Sequence, residues 1–282
     1  MKEDVRPAAE KFRARPSITG RVSLAAINPG DTGGLKRKPA ERAYMGDWSL
    51  ELAGLQDRLS AEHKKSVLVV LQGLDTSGKD GTVKHVMGDM NVQGVQVVSF
   101  KQPTPEELKH DFLWRIRQHL PAPGEIVVFN RSHYEDVLIA RVKGLAPIEE
   151  IEKRYDLINR FEAELAKNGT TVVKFMLHIS PEEQKNRLLA RLDDPTKRWK
   201  FSPNDLKERT LWNAYMEAYE IALTRCNPDG APFYVVPADH KWFRNWVVSA
   251  ILVEVMRGMK PKYPKPHLEI KAIEAKLISG RA

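Results

Sequence analysis

Residues 67–86, VLVVLQGLDTSGKDGTVKHV, run from a continuous apolar segment into a loop punctuated by Gly73 and Gly78 and closed by Lys79. No other stretch constrains the fold as tightly. A strand apolar on both faces needs cover on both sides, and a glycine turn leading into a helix places it in a parallel sheet. Gly73, Gly78 and Lys79 fill the first seven positions of the phosphate-binding loop pattern. In such a loop, Gly73, Thr76, Ser77, Gly78, Asp80 and Gly81 bring backbone N–H groups toward phosphate oxygens. The helix start adds partial positive charge, and Lys79 neutralises the bridging oxygens. A tight strand-to-helix turn with no ligand is the plain alternative.

The pattern departs from the rule at position 80, where Asp stands in place of the Ser or Thr that normally holds Mg²⁺. Asp75, three residues into the loop, is the better replacement ligand, because a carboxylate there can lie beside the phosphates. Asp80 reads as a first-turn residue favoured by the helix dipole. Oxygen ligands and an incomplete, water-retaining shell suit Mg²⁺, with Mn²⁺ as a substitute ion.

Four further apolar runs, at 95–100, 126–129, 172–179 and 233–236, alternate with helical patterns at about 79–90, 104–119, 133–142, 147–168, 181–192, 203–225 and 240–258. With a feeding helix from Trp48 to about Lys65, this predicts a three-layer α/β/α sandwich around a parallel sheet. The domain is expected over 47–260. Residues 1–46, rich in Pro, Gly and basic side chains, read as an extended arm that wraps the domain or a neighbouring subunit. Residues 261–282 read as a tail.

A second constellation has the same build. EIVVFNRSHYEDVLIARV, residues 125–142, carries an apolar strand into polar groups. Ligands of parallel α/β sheets sit beyond the carboxyl ends of the strands, so Asn130, Arg131 and Ser132 should face the crevice beside Gly73. Arg131 is the candidate for stabilising charge on a transferred phosphoryl group, or alternatively one half of an ion pair. Asn130 occupies a position where an ordinary NTPase has a metal-binding Asp. Glu135 and Asp136 are then possible helpers through water, or simply surface carboxylates.

The charge is uneven. Of the net +8, an excess of four lies in residues 185–209, KNRLLARLDDPTKRWKFSPNDLKER, with eight basic and four acidic side chains. Arg187 and Arg191 share a helical face, and Lys197, Arg198 and Lys200 surround Trp199 in the link between two helices. The segment reads as the lid of a phosphoryl-transfer enzyme, and its charge exceeds what one nucleotide needs. A solvated charged hairpin is the alternative. The single cysteine, Cys226, excludes an intrachain disulfide and any multi-cysteine metal site. The amino terminus lacks a signal-like apolar core and no apolar stretch reaches the ~20 residues of a span, so a cytoplasmic protein with no membrane partner is expected.

Taken together, GLDTSGKDG, FNRSHYEDVL, VKFMLHISPEEQKNRL, DPTKRWKFSPNDL and PFYVVPADHKWFRN make residues 45–265 resemble the polyphosphate kinase 2 family. The resemblance implies a P-loop kinase fold related to thymidylate kinase, and reversible, Mg²⁺-dependent phosphate transfer between inorganic polyphosphate and nucleotides. It also implies a homo-oligomer, dimer or tetramer. The same resemblance makes Asp75, Lys79 and Arg131 the expected catalytic residues, and Asp75, helped by Glu135 or Asp136 from the reading above, the expected metal site. The loop with Arg187, Arg191, Lys197, Arg198 and Lys200 binds polyphosphate, while Asn130, Arg131, Ser132, Tyr134, Glu135 and Lys101 bind AMP, ADP or ATP. Many family members have Asp-Arg-Ser where this chain has Asn130-Arg131-Ser132, which resembles the subgroup that phosphorylates both AMP and ADP. An ATP-dependent nucleoside or nucleotide kinase would share the fold and the loop. A non-catalytic nucleic-acid-binding protein would share the charge and pairs such as Trp114–Arg115, but nucleic acid is not the expected partner.

Overall fold

All five apolar runs are strands: β1 (Ser66–Gln72), β2 (Val95–Ser99), β3 (Ile126–Asn130), β4 (Thr170–His178) and β5 (Phe233–Pro237). They form one parallel sheet in the order β2-β3-β1-β4-β5. The computed structural model describes residues 7–17, 20–266 and 268–280. Leu71 of β1 and Ser99 of β2 both pair with Asn130 of β3, so three strands end at one level. The chain order reverses around β1, which opens a crevice above those ends.

Among the described residues twelve helices accompany the sheet: α1 (Pro7–Phe12), α2 (Arg37–Met45), α3 (Asp47–Glu62), α4 (Lys79–Val86), α5 (Trp114–Arg117), α6 (Ile139–Val142), α7 (Ile148–Lys167), α8 (Pro181–Asp193), α9 (Asn204–Thr210), α10 (Trp212–Arg225), α11 (Lys241–Met259) and α12 (Ile270–Ser279). One face of the sheet packs on Leu52, Leu55 and Leu59 of α3 and on Val247 and Ile251 of α11. The other packs on Ile151, Tyr155 and Ile158 of α7 and on Ala218 and Ala222 of α10. Because α2 and α3 also cover α11, that helix is buried on nearly every side and shows no amphipathic period.

Several expected helices are shorter or interrupted. Over 104–119 only α5 and a single 3-10 turn at Glu107–Lys109 form. Thr104 and Glu107 make reciprocal backbone caps at 3.2 and 2.7 Å, but Asp111 Oδ1 then accepts from Leu113 N at 2.9 Å, and this local bond competes with helix. The 133–142 segment is a 3-10 turn at His133–Asp136 followed by α6, and 203–225 divides into α9 and α10.

The amino-terminal segment is not simply extended, since it contains α1 and α2. It wraps the domain: Arg13 bridges Tyr234 in antiparallel sense and Ala14 N donates to Phe233 O at 2.7 Å, covering the edge of β5. The tail is extended as far as 266, but 270–279 form α12, whose residues are all exposed. No helix among the described residues is long and apolar enough to cross a membrane.

Candidate active site

The loop after β1 folds as its glycines require. Gly73 and Gly78 have φ of 147° and 104°. A Cβ on Gly73 would lie 2.7 Å from Leu177 O, and one on Gly78 would lie 1.8 Å from the guanidinium of Arg244. Lys79 is buried and lies over the loop, its Nζ donating to Gly73 O at 2.7 Å and to Leu74 O at 3.2 Å. Burial pulls its ammonium down to about 8, Arg131 adds to this, and Asp75, Glu135 and Asp80 oppose it.

Above the strand ends lies a cleft of about 940 Å³. Asp75, Thr76, Gly78, Lys79, Asp80 and Gly81 line it from the loop, with Lys101 after β2 and Asn130 and Arg131 after β3. Arg187 and Arg191 of α8 and Lys197 and Lys200 of the link after it complete the opposite wall. The lid cations therefore face the phosphate loop across one space.

Inside the cleft the side chains are paired. Arg131 Nη2 donates to Asp75 Oδ1 at 2.7 Å, so Arg131 is at once a cleft residue and half of an ion pair. Glu135 and Asp75 hold its charge and raise its basicity against burial. Asn130 Nδ2 donates to Asp80 Oδ1 at 2.7 Å, which engages the first-turn carboxylate and leaves Asp75 as the acid nearer Arg131. Arg187 is a brace as well as a wall: its guanidinium donates to Thr76 O, Ser77 O, Ala238 O and Asp239 O at 2.6–3.0 Å.

Other expected residues lie elsewhere. Tyr134 is fully buried beneath the turn with its hydroxyl on Glu162, and Ser132 is fully buried with its Oγ accepting from Tyr134 N; neither can touch a nucleotide in the cleft. The 3-10 geometry of the turn directs these side chains into the core. Asp136 sits 3.5 Å from Arg154 and 3.9 Å from Arg115, away from Asp75, and burial pushes its carboxyl up to about 6 despite both arginines. Glu135 lines a smaller cavity of about 190 Å³ together with Asp75, Arg131, Gly73, Tyr215 and Tyr219, its Oε2 4.0 Å from Arg131 Nη1, and burial raises its carboxyl. Asp75 and Glu135 thus share one cavity, each against Arg131, while Asp136 pairs with Arg115 and Arg154, and among the described residues no three His, Cys, Asp or Glu side chains are placed to hold a metal ion. Ser77 is buried within the loop, and Arg198 is exposed, turned back to donate to Leu192 O at 2.7 Å.

The family model for polyphosphate kinase 2 matches residues 36–264. The chain belongs to the polyphosphate kinase 2 family. It is 48% identical over 258 residues to an AMP/ADP-polyphosphate phosphotransferase of Meiothermus ruber, covering 91% of this chain and 96% of that one. It is 45% identical over 226 residues to an ADP-polyphosphate phosphotransferase of Rhodopseudomonas palustris, covering 76% and 78%. The crystal structure of polyphosphate kinase 2 from Arthrobacter aurescens TC1 superposes with a TM-score of 0.92 at 44% identity over 96% of each chain.

In this polyphosphate kinase 2 chain, sequence reasoning passed over Lys241 and Arg244, which also line the cleft. Arg244 is 2% exposed, and its bonds among the described residues go to Asn245 Oδ1 at 3.1 and 2.8 Å and to Ser77 O at 3.4 Å, none of them to a carboxylate. Burial, with Arg187 beside it, pulls this guanidinium down to about 10. Gln184 was also missed, and its Nε2 donates to Asp75 O at 3.2 Å. The stretch PFYVVPADHKWFRN contains both Lys241 and Arg244, but nothing local marks them as facing a loop more than 160 residues earlier.

Proposed function

We propose that this protein moves phosphate reversibly between inorganic polyphosphate and AMP or ADP. The observation that carries the reading is the convergence of Lys79, Arg191, Lys197, Lys200, Lys241 and the carboxylate-free Arg244 on one open cleft beside the phosphate loop. A buried cation without an acid is costly, and a polyanion threading the cleft supplies the missing charge. The names of the related phosphotransferases support the same substrates.

The chemistry asks little covalent work of the protein. A nucleotide phosphate oxygen attacks the terminal phosphorus of the chain in line, the bond to the next bridging oxygen breaks, and the shortened polymer departs. Lys79 and the lid cations fix the donor, while Arg131, released from Asp75, turns its fork to the equatorial oxygens of the transferred group. The donor set fits Mg²⁺, or Mn²⁺, carried in with the phosphates: Asp75, a partly exposed carboxylate in the cleft, would hold the ion, with water and substrate oxygens supplying the remaining ligands. When bound, the ion neutralises phosphate charge at the site of transfer. Family membership supports a homo-oligomer, and the single, buried Cys226 fits a cytoplasmic setting.

Separate incubations of AMP and of ADP with long-chain polyphosphate and Mg²⁺, without ATP, test the reading by chromatography of the products. ADP from AMP, or ATP from ADP, is the expected result. Transfer that requires ATP as donor would show an ordinary nucleotide kinase instead.

A further inference from the structure

Beneath the turn that carries Arg131 lies a cluster of ionisable groups cut off from solvent. Lys174 of β4 and Glu162 of α7 are both 0% exposed, and Lys174 Nζ donates to Glu162 Oε2 at 2.5 Å. The same ammonium donates to Tyr134 OH at 2.9 Å and to Cys226 O, just past α10, at 2.8 Å. Glu162 Oε1 in turn accepts from Tyr134 OH at 2.8 Å and lies 3.2 Å from His133 Nε2. Two consecutive side chains of the 133–136 turn are thereby tied to α7 and β4, and through Lys174 to the residue after α10.

Above this cluster the backbone is held in an uncommon state. Arg131 has φ of 63°, a left-handed conformation that a non-glycine residue keeps only where its surroundings enforce it. Its N–H donates to Leu71 O at 3.1 Å, and Ser132 Oγ accepts from Tyr134 N at 3.2 Å. With the Gln72 amide turned to satisfy both neighbours, it donates to Glu135 Oε1 at 3.0 Å and accepts from Ser132 Oγ at 3.0 Å. The turn divides accordingly: Arg131 reaches up into the cleft, while Ser132, His133 and Tyr134 reach down.

Stability alone does not explain this cluster. A buried ion pair replaced by apolar groups of similar volume is often as stable or more so, because its desolvation offsets the attraction. What charge and directed hydrogen bonds add is a single permitted geometry. We propose that the Glu162–Lys174–Tyr134–His133 network is a positioning device for Arg131, clamping the turn from below and so setting where the guanidinium meets the transferred phosphoryl group. None of the four touches substrate. The inference rests on the phosphotransferase reading above.

The test compares Tyr134→Phe and the charge-neutral pair Glu162→Gln/Lys174→Met with wild type, each also in an Arg131→Ala background. The readouts are kcat, both KM values and melting temperature. The neutral pair is expected to lower kcat roughly 10- to 100-fold, the scale of an ångström-level misplacement of a catalytic group, while the polyphosphate KM stays put. Tyr134→Phe, which removes one hydroxyl, should lower kcat in the same direction by a few-fold. In the Arg131→Ala background neither change should reduce kcat further, because the group being positioned is gone. Wild-type kcat in the folded variants, or losses that multiply with Arg131→Ala, would overturn the proposal. Should the neutral pair fail to fold, Tyr134→Phe decides alone. A wild-type enzyme that turns over nothing from polyphosphate and nucleotide refutes the functional reading, and this inference falls with it.

Discussion

Replacing Arg244 with Met should make the ligand-free protein more stable and the enzyme worse. Burial, with the like charge of Arg187, pulls this guanidinium down to about 10, and at ~1.4 kcal/mol per pH unit the penalty on the charged form is about 3 kcal/mol. Met keeps the length and packing but gives up the bonds to Asn245 Oδ1 and the long one to Ser77 O, about 2 kcal/mol together. The net gain is about 1 kcal/mol, or roughly 2–4 °C in melting temperature for a domain of this size. With polyphosphate the sign reverses. Loss of one charge-assisted contact of about 1.5–3 kcal/mol should raise the polyphosphate KM roughly 10- to 100-fold, and it should shrink the melting shift that polyphosphate produces. Differential scanning fluorimetry with and without long-chain polyphosphate, alongside steady-state kinetics, reads both effects. A variant that melts lower than wild type and keeps its polyphosphate KM would show that Arg244 is a structural cation and that the cleft needs no anion there.

Further expectations concern the loop and the lid. Lys79 titrates at about 8 in the free enzyme, so it is charged below that pH and loses its charge above it; kcat/KM for polyphosphate should fall as pH rises through 8. In Lys79→Arg that limb should move out of the accessible range, and its persistence would assign it to another group. Asp75→Asn should cut turnover by roughly 100-fold or more with little change in melting, since Asp75 is partly exposed and its one ion-pair partner, Arg131, is itself accessible; near-normal turnover with Mg²⁺ present would refute its role as metal ligand. Lys197→Ala with Lys200→Ala should raise the polyphosphate KM more than the nucleotide KM. Arg198→Ala should leave both within about twofold, because that side chain turns away from the cleft. Equal effects of the lid changes on both substrates would remove the channel.

The sheet was legible because its signal is local. Residues 67–71, 126–129 and 233–236 are apolar and buried on both faces, a property of five or so adjacent residues, whereas the edge strand β2 is half exposed. The loop was legible for a similar reason, since Gly73 and Gly78 are the residues that can take the positive φ this turn uses. The lid's charge was visible as composition, and Arg187, Arg191, Lys197 and Lys200 line the cleft as its pattern suggested. What the pattern did not show is that Arg198 faces backward, or that Arg187 divides its donors among Glu183, the loop backbone and the backbone after β5. Beyond β3 the reading faltered at Tyr134 and Asp136. There the chain enters a 3-10 turn, and neither a two-residue nor a 3.6-residue period says which side chain faces the crevice.

From its residues alone this chain specifies a parallel α/β sheet, a phosphate loop with Asp75 and Lys79, and a cationic lid, because each depends on neighbours a few positions away. Folding alone decided that Arg131 would meet Asp75 across 56 positions and that Arg244 would lie against Gly78 from a helix at the far end of the domain. Contacts of that kind are set by how β1, β3 and α11 stack, and the free energy of an uncompensated buried charge exists only once that stacking has expelled water.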